Sequence, residues 1–195
     1  MNRSIVIYVL GYILKTEGVL MSLPCFIALI YRETEGWAYF TVAMISILLG
    51  QLMTMRKPKD YIIYLKEGCV ATSLSWILMG VIGAIPFMIT GEIPSFINAL
   101  FEMVSGFTTT GSSIIPDVEV LPHCLLFWRS FTHWVGGMGV LVFLLSLLPL
   151  TGGSHVNLMK AESPGPQVDK LVPKVQSTAK ILYGIYFLLT VLEFM

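Results

Sequence analysis

Between two apolar stretches that can each cross a bilayer lies one that cannot. Residues 93–106 are apolar but too few, and Phe107-Thr108-Thr109-Thr110-Gly111-Ser112-Ser113 follows at once. Spanning about 30 Å of hydrocarbon takes roughly 20 helical residues. A helix over residues 95–106 reaches only about 18 Å at 1.5 Å per residue. Irregular backbone at membrane depth persists only where protein buries it or where it lines a watery cavity. A short helix that dips in, followed by a Thr/Gly strand that climbs out, is the arrangement that offers carbonyl oxygens to an ion. For the strand taken alone, an ordinary polar loop behind a buried half-helix is the alternative.

The rest of the chain supplies the membrane context. Its 195 residues are 55% hydrophobic and 12% charged, where soluble domains carry about 25% charged residues. That shortage of solvating charge predicts an all-α integral membrane protein. Twelve basic residues balance twelve acidic ones, so no net positive field argues for a nucleic-acid partner. Cys25, Cys69 and Cys124 stand singly in or beside apolar segments and read as small hydrophobes, not as zinc or redox ligands. Arg3 and the apolar run after it lack a small-x-small cleavage pattern, so the first segment reads as retained.

The first apolar region, 5–31, contains Lys15, Glu17 and Pro24. Central charges each cost about 2.5–3.5 kcal/mol on an insertion scale. Either they face protein or water, or the segment breaks near Gly18 into an interfacial piece and a shorter span. Residues 37–55 form a cleaner span, opened by Trp37 and Tyr39 and closed by Arg56-Lys57-Pro58-Lys59-Asp60. A third span covers about 68–90, with Pro86 near its far end. Pro94 pre-sets the first turn of the short helix. After a loop bearing Pro116, Asp117, Glu119 and Pro122, residues 125–150 can cross again, and 181–195 begin another apolar helix. With the N-terminus inside, the cytoplasmic stretches hold Arg3, then Arg56, Lys57, Lys59 and Lys66, then Lys160, Lys170, Lys174 and Lys180. The outer loops hold only Arg32, which is the bias the positive-inside rule asks for. This orientation puts the re-entrant segment outside.

Within that segment, the C-terminal end of a helix entering from outside carries about half a negative charge toward the membrane centre. The carbonyls of Thr108 to Ser112 can then replace an ion's hydration shell. β-Branched threonine favours extended backbone, and Gly111 allows a conformation other residues resist. On the next helix Arg129 and His133 lie four apart on one face, followed by Gly136, Gly137 and Gly139, which allow close helix approach. Arg129 reads as a brace for the outer loop, with Asp117 or Glu119 as candidate partners, and His133 as a hydrogen-bonding group within the bundle. Glu102 reads as a support that pairs with Arg129 or holds backbone N–H groups. Ser105 and Ser130 have no spacing that pairs them with a histidine base, so the chain does not read as an enzyme.

Three stretches carry a family resemblance: NALFEMVSGFTTTG at 98–111, LPHCLLFWRSFTHWVGGMG at 121–139, and AESPGP at 161–166 followed by DKLVP at 169–173. They resemble the Trk/Ktr/HKT superfamily of potassium transporters, in its bacterial TrkH/TrkG branch. The resemblance implies four consecutive helix–pore loop–helix units around one pore, preceded by an extra helical pair. Residues 1–60 then correspond to the pair and 66–150 to the first pore unit. Residues 151–178 become a cytoplasmic connection and 179–195 the start of the second unit. It also implies that Thr109 and Thr110 coordinate potassium through backbone carbonyls, flanked by Thr108, Gly111 and Ser112, with Glu102, Arg129 and His133 in support. Potassium is the cargo, with proton or sodium coupling, and no organic cofactor is implied. Homodimers, a cytoplasmic nucleotide-binding regulator of TrkA type and a bacterial inner-membrane location are further expectations. Three pore units and a later gating loop have no counterpart in these residues, so the chain is expected to be the N-terminal part of a longer transporter. A short pore subunit that homo-oligomerises into a cation channel is the alternative.

Overall fold

The computed structural model describes residues 2–58, 64–137, 139 and 175–193. These form seven α-helices: α1 (Arg3–Leu20), α2 (Ser22–Tyr31), α3 (Gly36–Met55), α4 (Leu65–Thr90), α5 (Phe96–Phe107), α6 (His123–Gly137) and α7 (Val175–Glu193), with a 3-10 turn at Val118–Val120. Three segments, Arg3–Tyr31, Gly36–Met55 and Lys66–Thr90, are long and apolar enough to cross a membrane. α5 is shorter, as its length in sequence requires.

The first span resolves both alternatives at once. Its charges face protein, and it breaks, but at Met21 rather than near Gly18. Pro24 has no N–H for the carbonyl of Leu20 and its ring crowds that carbonyl, so the helix turns one residue later. Met21 N–H still bonds to Glu17 O at 2.8 Å, and Ser22 Oγ donates to Val19 O at 2.6 Å. Lys15 Nζ lies 5.0 Å from the Tyr12 ring centroid, while Glu17 is buried.

α1 and α3 run antiparallel and nearly touch backbone to backbone. A Cβ on Gly50 would come within 2.5 Å of Gly11 O, and one on Gly18 within 2.8 Å of Ala43 O. Small residues create such contacts where lipid supplies no hydrophobic drive between helices. α4 packs on α1, α3 and α5, and α6 packs on α5 and α2. The half-helix therefore lies between two longer neighbours. Trp128 on α6, 1% exposed, makes edge contacts with Tyr39 of α3 and Phe107 of α5 and donates its Nε1–H to Gly83 O of α4 at 3.3 Å. One ring thus meets three helices.

A polar latch closes the other end. Glu33, between α2 and α3, accepts the backbone N–H groups of His123 (2.7 Å) and Cys124 (2.9 Å), two donors that open α6 and have no partner inside the helix. His123 Nδ1 lies 2.8 Å from the same carboxylate, and the His123 ring stacks on Tyr31 at 3.9 Å. Burial opposes ionisation of Glu33, but the bonds from Cys124 and His123 outweigh it and hold the carboxyl below its ordinary value.

Two expected positions shift. Pro94 stands outside the half-helix, since Ser95 occupies the capping position. The last helix starts at Val175, six residues before the apolar run. Residues 140–174, including most of the expected connection and the far half of the fourth span, lie outside the described residues.

Glu33→Gln is expected to lower thermal stability in detergent at neutral pH by about 1 kcal/mol, the scale of a lost helix cap. Because the folded carboxyl ionises more readily than the unfolded one, its contribution is complete above about pH 4.3. It is lost as pH falls through the lower folded value. Parent and variant unfolding curves should therefore converge in acid.

Candidate functional site

The half-helix α5 is two-faced. Ala99, Glu102, Met103, Gly106 and Phe107 are buried, while Phe96, Ile97, Phe101 and Val104 are exposed. Its end is fixed by a cap made from the threonine run itself. Thr109 N–H bonds to Gly106 O and Thr110 N–H to Ser105 O, both at 2.9 Å, the paired pattern in which a left-handed residue follows the last helical turn. That residue is usually glycine. Here it is Thr109, at φ 55°, a conformation that is uncommon outside glycine and an outlier for a β-branched side chain. Its hydroxyl donates to Thr108 O at 2.7 Å, and the Thr108 and Thr110 hydroxyls lie 2.8 Å apart.

The expected extended strand over 108–112 is therefore replaced at its start by a capping turn, because orphan carbonyls at a helix end must find donors. Gly111, at φ 77°, does take the backbone geometry that favours glycine. A Cβ there would meet nothing within 4 Å, so the demand at this position comes from the backbone and not from crowding.

The cap sorts the carbonyls. Val104, Ser105, Gly106 and Thr108 oxygens already accept hydrogen bonds, and Ser112 O accepts the Ser105 hydroxyl at 2.6 Å. Among the described residues nothing donates to the carbonyls of Thr109, Thr110 and Gly111, and residues 108–114 are exposed. Ser112 retains one lone pair on its bonded oxygen.

Behind the loop is a buried charge cluster. The Glu102 carboxylate accepts Arg129 Nε–H, the Ser113 hydroxyl at 3.0 Å and the Ile114 N–H at 3.1 Å. Its side chain is 0% exposed and that of Arg129 14%. Both readings of Glu102 hold together: it pairs with Arg129 and it holds a backbone N–H of the returning limb. Neither Asp117 nor Glu119 is the partner of Arg129, whose Nε–H goes to Glu102; Asp117 instead accepts the backbone N–H of Glu119 at 3.0 Å. His133 Nδ1–H donates to Arg129 O at 2.9 Å, within the bundle as expected. At Gly136 a Cβ would overlap the Phe107 carbonyl, so the first of the three glycines seats α6 directly on the end of the half-helix. Tyr186 of α7 donates its hydroxyl to Trp134 O at 3.2 Å.

Two contacts that fasten the loop have no counterpart in the expectations from sequence. Ser105 appeared only as a nucleophile candidate, yet its hydroxyl fastens the loop. Ser113 was part of the polar stretch without a role. A polar residue on the buried face of an apolar helix was the available signal in the first case.

A half-helix, a glycine-bearing loop with open carbonyls and a buried clamp, set among apolar spans, belong to a multi-pass membrane protein. The family model for TrkH, a cation transport protein, matches residues 36–195, and the chain belongs to that family. TrkH of Escherichia coli K12, a Trk system potassium uptake protein, is 38% identical over 88% of this chain and 36% of its own length. TrkG of the same strain is 36% identical over 97% of this chain and 40% of its own length. The crystal structure of the potassium transporter TrkH from Vibrio parahaemolyticus superposes with a TM-score of 0.76 at 30% identity, covering 98% of this chain and 38% of that one. The chain thus spans about two fifths of the length of the relatives it matches. Those relatives are transporters, not enzymes.

Glu102→Gln leaves Arg129 without its charge partner and is expected to destabilise by about 3–5 kcal/mol, the cost of breaking a buried pair. Adding Arg129→Met should recover part of that loss, read as thermal unfolding in detergent.

Proposed function

We propose that this chain provides one quarter of the selectivity filter of a Trk-type transporter that takes up potassium across the bacterial inner membrane. Residues 1–60 serve as an extra helical pair and 66–150 as the first pore unit. Residues 151–178 connect on the cytoplasmic side and 179–195 open the second unit, with the N-terminus in the cytoplasm. The three adjacent carbonyls of Thr109, Thr110 and Gly111, unclaimed among the described residues, carry this reading. Carbonyl dipoles of this kind stand in for the water that a potassium ion sheds. Thr108 and Ser112, whose oxygens already accept hydroxyls, flank the coordinating positions. Glu102 and Arg129 hold the returning limb at a fixed distance from the half-helix, and His133 holds the α6 backbone behind them. A single loop cannot surround an ion, so three further loops complete the ring in the assembled transporter. Coupling to protons or sodium, homodimer formation and a nucleotide-binding regulator of TrkA type belong to the same proposal, by similarity to the family.

The test is rubidium uptake by the complete transporter that carries this segment, in potassium-starved cells, with sodium as competitor. Gly111→Ser forces a side chain into a left-handed position, which costs about 1–2 kcal/mol. Potassium preference over sodium should fall about tenfold. An unchanged preference would remove the filter assignment.

A further inference from the structure

Glu17 on α1 is 3% exposed, and neither of its carboxyl oxygens has a hydrogen-bond partner among the described residues. It lines a cavity together with Thr16 and Leu20 of its own helix, Met79 of α4, Phe107 at the end of the half-helix, and Trp128 and Thr132 of α6. The space has room for about one water. Its far wall is the back of the candidate filter, since Thr132 packs against Gly106 and Phe107 is the last residue before the threonine run.

The polar groups in that wall decide what the carboxyl can hold. Thr16 Oγ–H donates to Tyr12 O at 2.9 Å, and Thr132 Oγ–H donates to Arg129 O at 2.7 Å. Both hydroxyls have spent their proton, so each offers lone pairs only. An ionised carboxylate requires donors, and the side chains lining the cavity have none to spare. A neutral acid requires an acceptor, and the cavity supplies two.

The charged and titratable groups of the surrounding helices are committed elsewhere. Lys15 lies over Tyr12 and beside Gly50 of α3, and Glu67 of α4 accepts Asn2 N–H. Glu102 and Arg129 satisfy each other, and His133 is bonded to Arg129 O. Tyr39 of α3 is buried and donates to nothing in this cavity. An unpaired carboxylate in apolar surroundings costs far more than taking up a proton.

We propose that Glu17 is a proton-binding site behind the first pore loop. Its neutral carboxyl donates through one buried water to the Thr16 and Thr132 oxygens. Loss of the proton to water leaves a carboxylate facing acceptors, in a cavity whose wall includes Phe107 and Thr132 at the end of the half-helix. For an alkali cation the lining offers only one carboxylate and two hydroxyl oxygens, the rest being apolar or already bonded.

Infrared spectroscopy of the membrane-embedded complete protein tests the site without reference to transport. A neutral-acid C=O band at neutral pH should vanish in Glu17→Gln. Glu17→Asp should move the same band, which covers the case in which the glutamine variant does not accumulate. The thermal stability of E17Q should exceed that of the parent, with a gap that widens about tenfold in the unfolding equilibrium per unit of rising pH above about 4.3, where the unfolded carboxyl is ionised and the folded one still holds its proton. A band that neither variant alters, a gap independent of pH, or a band that disappears on adding sodium or potassium at constant pH overturns the proposal.

Discussion

The pairing of Glu102 with Arg129 is the contact on which the loop region depends. Two ions removed from water each lose several kcal/mol of solvation, and their attraction compensates only when the remaining lone pairs and protons are also satisfied. Here they are, because Ser113 and Ile114 donate to the same carboxylate. The pair therefore fixes three segments at once: the middle of the half-helix, the limb returning from the loop, and α6. The Phe107–Gly136 contact then sets how closely the half-helix approaches α6, and no side chain other than hydrogen fits there.

Around this anchor the backbone divides its carbonyls into occupied and open sets. The cap formed by Thr109 and Thr110 occupies the helix-end oxygens and costs a left-handed threonine, about 1–3 kcal/mol of strain. Such strain persists only where neighbours over-determine it, and the hydroxyl bonds of Thr108 and Thr109 together with the Glu102 clamp do so. The open oxygens begin where the cap ends.

What the sequence made legible followed from length and composition. A span over 37–55 is observed as Gly36–Met55, one over 68–90 as Leu65–Thr90, and a half-helix over 95–106 as Phe96–Phe107. These rest on apolar run length, which local sequence carries in full. Pairings across long separations were not legible. The choice of Glu102 over Asp117 or Glu119 for Arg129 depends on which carboxylate is buried beside it. The Glu33 latch joins residues 90 apart, with no local signature at either end. The break falls at Met21 and not near Gly18 because the proline at position 24, unlike the glycine, deletes a backbone donor. The left-handed Thr109 was invisible because β-branching argues for extension, and the need to satisfy helix-end carbonyls overrode it.

The Ser105–Ser112 bond has a consequence for assembly. It stitches the outgoing limb to the helix that the chain has just left, so the bend is laced to itself and takes its shape from within. In the proposed ring, neighbouring units would govern only how far apart such bends stand. The bore of a ring built this way is set by helix docking, and the curvature of each segment by its own hydroxyls.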